Sequence, residues 1–146
     1  MNAPTTPDLR SALDLAPFRA RRERLLARMK AKGGGVAILH TAPERIRNRD
    51  AHYPYRHDSY FYYLTAFREP EAVVVLVAGK DTKQILFCRQ KDEEREVWDG
   101  FRYGPAAARE IFGFDEAWTI GDLEKRLPDY LADQPLLWTG LGYDSA

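Results

Sequence analysis

The chain has a single cysteine, Cys88, so an internal disulfide framework is excluded. Cys88 closes the apolar run Ile85-Leu86-Phe87, and no basic helical segment adjoins it to lower its pKa. It reads as a buried, inert thiol in a reducing compartment. An excess of one charge is also missing, since 22 Lys and Arg balance 22 Asp and Glu. That removes the basic surplus typical of dedicated nucleic-acid binders and gives no attraction to an anionic membrane. The longest apolar run, Ala72 to Ala78, is far short of the ~20 residues a membrane span needs. MNAPTTPDLR lacks the apolar core of a signal peptide. The expected location is the cytoplasm.

Histidine is scarce, three in 146 residues. Asp50, His52, His57 and Asp58 match neither HExxH nor another paired-ligand spacing, so no metal site is expected in this chain. A serine nucleophile elbow and a phosphate-cradling loop are absent as well. Gly33-Gly34-Gly35 precedes a strand, whereas phosphate loops follow one, so it reads as a helix stop or hinge. No residue is assigned a catalytic role.

What is present suits one soluble domain, with 45% hydrophobic and 30% charged residues. Residues 1–16 read as a flexible arm and 17–146 as the domain. Pro17 opens a helix running to about Lys32, with Phe18, Leu25, Leu26 and Met29 on its apolar face. Its opposite face carries Arg19, Arg21, Arg22, Arg24, Arg28 and Lys30 against Glu23. That face is expected to be solvated, the sharper alternative being docking against an acidic neighbour. Val36 to Leu39 is a strand. Ala72 to Val77 is a central strand, apolar on both faces, and forms an antiparallel hairpin with Gln84 to Arg89. Asp92 caps a helix whose first turn holds Glu93, Glu94 and Glu96, read as a solvated cluster, and Gly100 ends it. A second short helix ends at Gly113. Ala117 to Ile120 is a strand, and Asp122 to Ala132 a helix burying Leu123, Leu127, Tyr130 and Leu131, with a bend at Pro128. Leu136-Leu137-Trp138 is the last strand. The fold class is α/β, a mixed sheet with flanking helices.

The least ordinary stretch is Arg45 to Phe67, RIRNRDAHYPYRHDSYFYYLTAF, which crowds Tyr53, Tyr55, Tyr60, Phe61, Tyr62, Tyr63 and Phe67 among four arginines. Its aromatics and Arg–Asp neighbours suggest an ordered, recognition-bearing loop. Asp50, after Arg47-Asn48-Arg49, is expected to be held ionised by an arginine, either as an intradomain ion pair or in recognition. Trp98, beside Asp99 and Gly100 at a helix exit, reads either as core or as a half-covered interface anchor. A free-standing interaction module using 45–67 is one alternative. A single-stranded nucleic-acid platform is a weaker one, because the aromatics are contiguous and no RNP-type pattern occurs.

Five linked motifs then carry a resemblance: R-N-R-D (Arg47 to Asp50), Y-P-Y-R (Tyr53 to Arg56), D-S-Y-F-Y-Y-L-T-A-F (Asp58 to Phe67), E-P-E-A (Glu69 to Ala72) and V-W-x-G (Val97 to Gly100). Together, over about Phe18 to Ile120, the chain resembles the N-terminal domain of Xaa-Pro aminopeptidase, or aminopeptidase P, of the creatinase and prolidase type. His57 stands where Gln is usual, and Ala66 where the family has Gly, which suggests a looser turn after Thr65. The resemblance implies an intact two-domain metallopeptidase that removes the residue ahead of proline. It also implies that two manganese or similar divalent ions sit in a separate C-terminal pita-bread domain, and that this chain contributes to a homo-oligomer, a dimer or tetramer, and to the substrate entrance. By position, Asp50 and Trp98 would be the residues nearest a peptide with proline second. The chain reads as cut after Ala146, short of that catalytic domain, and inactive alone.

Overall fold

The computed structural model describes residues 14–41, 54–132 and 134–138, with side chains from Tyr60 onward in the helix that opens the second span. Helix α1 is Ala16–Ala31, with Pro17 in its first turn, where a missing N–H costs nothing. Strand β1, Gly35–His40, leads towards helix α2, Pro54–Thr65. Strands β2 (Val73–Ala78) and β3 (Thr82–Cys88) form the expected antiparallel hairpin, with Val75 opposite Ile85. Helices α3 (Glu93–Asp99) and α4 (Gly104–Phe112) cross to strand β4, Glu116–Thr119. A single 3₁₀ turn, Ile120–Asp122, precedes helix α5, Leu123–Leu131, and strand β5 is Leu137–Trp138.

The strand order β4-β3-β2-β1-β5 puts β2 at the centre of a five-stranded sheet. Every residue of β2 is buried, as its unbroken β-branched run requires. The outer pairs, β1–β5 and β3–β4, are parallel, while the inner pairs are antiparallel. Alternation along β2 divides the core. Val74, Leu76 and Ala78 meet Leu26 and Met29 of α1, Phe61 and Leu64 of α2, and Ala108 and Phe112 of α4. Val73, Val75 and Val77 face the other way, where α5 contributes Leu123, Leu127, Tyr130 and Leu131. One layer of helices thus covers each face.

Several expectations are corrected. The recognition loop is in large part a helix, because Phe61 and Leu64 sit three residues apart on one face and bury themselves against the sheet. Arg45 to Tyr53, with Asp50 and His52, lies outside the described residues. At the turn after Thr65, Ala66 takes the left-handed conformation that a glycine would favour (φ 64°), and the Thr65 hydroxyl accepts the Phe67 N–H at 2.9 Å. The glycine run after α1 is more than a stop. A Cβ on Gly34 would sit 2.6 Å from the Ala78 carbonyl oxygen, and one on Gly35 would sit 2.5 Å from that of Leu136. Only glycine lets β1 leave the helix between those two backbones.

The basic face of α1 is not simply solvated. Arg22 is fully buried. It donates from Nε to the Gln84 side-chain oxygen at 2.7 Å, from Nη1 to the Leu64 carbonyl at 2.9 Å and from Nη2 to the Phe112 carbonyl at 2.8 Å. Arg21 reaches the Tyr63 carbonyl and Arg19 the Gly113 carbonyl. These carbonyls are the C-terminal ends of α2 and α4, the negative poles of both helices. Burial, and then Arg19, push the Arg22 pKa down to about 10, while Glu23 and Asp115 act in the opposite sense.

Candidate functional site

Trp98 and its neighbours on α3 stand apart from the rest of the molecule. The helix starts as its sequence dictates, the Asp92 carboxylate accepting the Arg95 N–H at 3.1 Å, and ends at Gly100 with φ 98°. No residue of α3 is buried. Val97 is 78% and Trp98 84% exposed, and Phe101, just past the helix, is 37% exposed. Trp98 is therefore neither core nor half covered, the two readings its sequence position offers, but almost wholly exposed. Burying a side chain the size of valine is worth ~1.5 kcal/mol or more, so this patch contributes little to the fold. It is available to a molecule that covers it.

The polar contacts around α3 join residues close together in the chain, from Gln90 to Arg102. Lys91 Nζ donates to Glu96 at 3.0 Å and to the Arg102 carbonyl at 2.7 Å, with its charge 4.3 Å from the Phe101 ring centroid. Asp99 lies 3.3 Å from Arg95 and 3.8 Å from Arg102, and Arg102 also donates to the Gln90 carbonyl. Glu96, read as part of a solvated cluster, is in fact a tie: its side chain is 13% exposed. Burial favours its neutral form, but the Lys91 hydrogen bond and the backbone of Arg102 and Asp92 outweigh that and hold it below the usual carboxylate range. Glu93 and Glu94 are exposed as expected.

Glu69, which the sequence offers only as the first residue of the E-P-E-A motif, makes a further tie next to this segment. It is 8% exposed, accepts the Tyr103 N–H at 2.8 Å and faces Arg89 at 3.5 Å. It thereby ties the entry to β2 to the segment that starts α4. Tyr103 has its pKa raised by burial and then by the Glu69 charge. The only signal for this in the sequence was an acidic residue directly before a proline turn. An open cleft of about 750 Å³ lies alongside, lined among others by Pro70, Glu71, Arg89, Arg95, Asp99 and Arg102.

The arrangement is an exposed apolar patch beside a cleft lined with charged residues. Asp99 is engaged by arginines and Asp92 by the helix N-terminus. Among the described residues no group of three or more His, Cys, Asp or Glu is placed to hold a metal ion. Cys88 is buried as expected, and burial, with Glu69 adding to it, pushes its thiol up to about 12. His57 and Asp58 fall in the sequence of α2. No described helix is long and apolar enough to cross a membrane. Of the two residues singled out for substrate, the structure describes Trp98, and Asp50 lies outside the described residues.

Comparison with known proteins agrees with this geometry. Residues 18–138 match the family model of the aminopeptidase P N-terminal domain. The chain is 40% identical over 119 residues to Xaa-Pro aminopeptidase of Escherichia coli, covering 80% of this chain and 26% of that protein. It is 30% identical over 137 residues to human Xaa-Pro aminopeptidase 3, covering 86% and 27%. Among solved structures, Pseudomonas aeruginosa aminopeptidase PepP superposes with a TM-score of 0.74 at 41% identity, over 91% of this chain and 30% of that one. A zinc-substituted E. coli aminopeptidase P in complex with product superposes with a TM-score of 0.73 at 33% identity, over 90% and 30%. The chain thus spans between a quarter and a third of the length of these relatives. By the family model, the identities and the superposed fold, it belongs to the aminopeptidase P N-terminal domain family.

Proposed function

We propose that this chain is the non-catalytic part of a proline-specific metalloaminopeptidase, which frames the substrate entrance and takes part in subunit assembly. One observation carries the reading: Trp98 and Val97 are uncovered on a helix with no buried residue, whose Glu96 and Asp99 pair with Lys91 and Arg102 on either side of it. An exposed indole offers an apolar face that fits the flank of a proline-containing peptide. Asp50, in the R-N-R-D motif, would supply the carboxylate that steers the peptide's ammonium group. Bond cleavage belongs to the remaining two-thirds or more of the length seen in relatives. The described residues offer no ligand set for the divalent ions of such an enzyme.

The test is a pair of measurements. The 146-residue chain supplied with manganese should not hydrolyse Xaa-Pro peptides, and turnover would refute the reading. In the full-length enzyme, Trp98→Ala should raise KM for Xaa-Pro peptides by about tenfold, on the order of one lost apolar contact. Its metal content should not change. An unchanged KM would remove the entrance role. Asp50→Asn should likewise raise KM only for substrates with a free amine.

A further inference from the structure

Arg19, Arg21 and Arg22 of helix α1 donate to carbonyl oxygens, but the side chains of Arg24, Arg28 and Lys32 are exposed and take part in none of the described side-chain hydrogen bonds or ion pairs. They recur every four residues, so they form one row on the outer side of the helix. Attraction of cations to a helix C-terminus accounts for Lys32 and for no more than the last turn, which leaves Arg24 unexplained. Aromatic surface runs beside the row. Tyr60 and Tyr63 of α2 stack at 6.3 Å with their planes 9° apart. Arg21 lies 4.2 Å from the Tyr63 ring centroid, and the Arg28 charge reaches the Tyr60 hydroxyl, opposing the upward push of burial on its pKa.

The spacing selects a partner. Four helical residues advance about 6 Å, and two residues of extended chain advance about 6.7 Å with both side chains on the same side. Three carboxylates on alternate residues of an extended segment therefore fall opposite Arg24, Arg28 and Lys32, and the flexible basic side chains absorb the remaining difference. We propose that this row is a docking surface for an extended acidic polypeptide segment, its Asp or Glu residues alternating with residues that rest on Tyr60 and Tyr63. Nucleic acid is the poorer fit. Three cations neutralise few phosphates, whereas tight backbone binding uses roughly 6–10 contacts, and the chain has no net positive charge to draw in a polyanion. The proposal is independent of the reading of α3.

A fluorescein-labelled decapeptide of alternating Glu and Ser, titrated with the 146-residue chain and followed by anisotropy, provides the test. Saturable binding is expected at about 20 mM salt and should weaken about tenfold or more at about 300 mM, as charges become screened. The triple variant Arg24→Gln/Arg28→Gln/Lys32→Gln should lose that binding, with a thermal unfolding midpoint close to that of the parent because all three side chains are exposed and glutamine keeps the helix propensity. Binding by the triple variant within about twofold of the parent would overturn the proposal, as would the absence of salt-sensitive binding. Tighter binding of an oligothymidylate of equal charge would assign the row to phosphates instead. Equal binding of a peptide with its glutamates in one block would overturn the spacing argument.

Discussion

The guanidinium of Arg22 has the Gln84 side chain and helix-end carbonyls as acceptors, with no carboxylate within hydrogen-bonding reach. Its replacement by methionine keeps much of the volume but leaves buried acceptors from α2, α4 and β3 without a donor. Arg22→Met should therefore destabilise the chain by about 3–5 kcal/mol, read as a lowered urea midpoint at unchanged slope. A loss under about 1 kcal/mol would mean that water replaces the guanidinium. The sequence does not reveal this residue. It lies in a row of arginines that looks uniform, and its partners are 42 to 91 residues away. Burial there follows from which helices dock together, which no local pattern encodes.

At the scale of elements, local chemistry was a good guide wherever an element is set by its own residues. The Val73–Ala78 strand, the Asp92 cap and the Gly113 stop (φ 79°, left-handed) all fall where their residue types predict. Helix α2 was misread because its contiguous tyrosines drew attention from the spacing of Phe61, Leu64 and Thr65. For α3 the relevant prediction separates stability from binding. Trp98→Ala should shift unfolding by no more than about 0.5 kcal/mol, since the indole is 84% exposed. A loss of ~3–5 kcal/mol would show it to be core instead. Paired with the raised KM proposed for the full-length enzyme, the result distinguishes a contact surface from a packing residue. Asp50 and its loop were legible only as a motif, and their geometry lies outside the described residues.

Across the whole molecule, charge ties the sheet's edge to its second helical layer. Glu116 of β4 accepts from Tyr130 of α5, from Trp118 and from Lys83 of β3. Burial works against its charge, but these hydrogen bonds prevail and hold the carboxyl below its ordinary value, whereas burial and Glu116 push the Tyr130 hydroxyl up to about 12. A carboxyl with a depressed folded pKa stabilises the fold above the ordinary value of about 4.3, and that contribution fades as pH falls through it towards the folded value. Urea unfolding between about pH 6 and pH 3 should show this decline, and Glu116→Gln should flatten it. An equal slope in the variant would place the linkage elsewhere, for instance at Glu96. The mixed α/β architecture was legible because strand periodicity and turn residues are local, while the two parallel edge pairings were not, since they depend on long crossovers. One consequence of the Arg22 anchor concerns motion. Because a single side chain satisfies the terminal carbonyls of both α2 and α4, neither helix can fray without depriving the other. Amide protons in the two final turns should therefore exchange with a common opening free energy, as one cooperative unit spanning segments far apart in the chain.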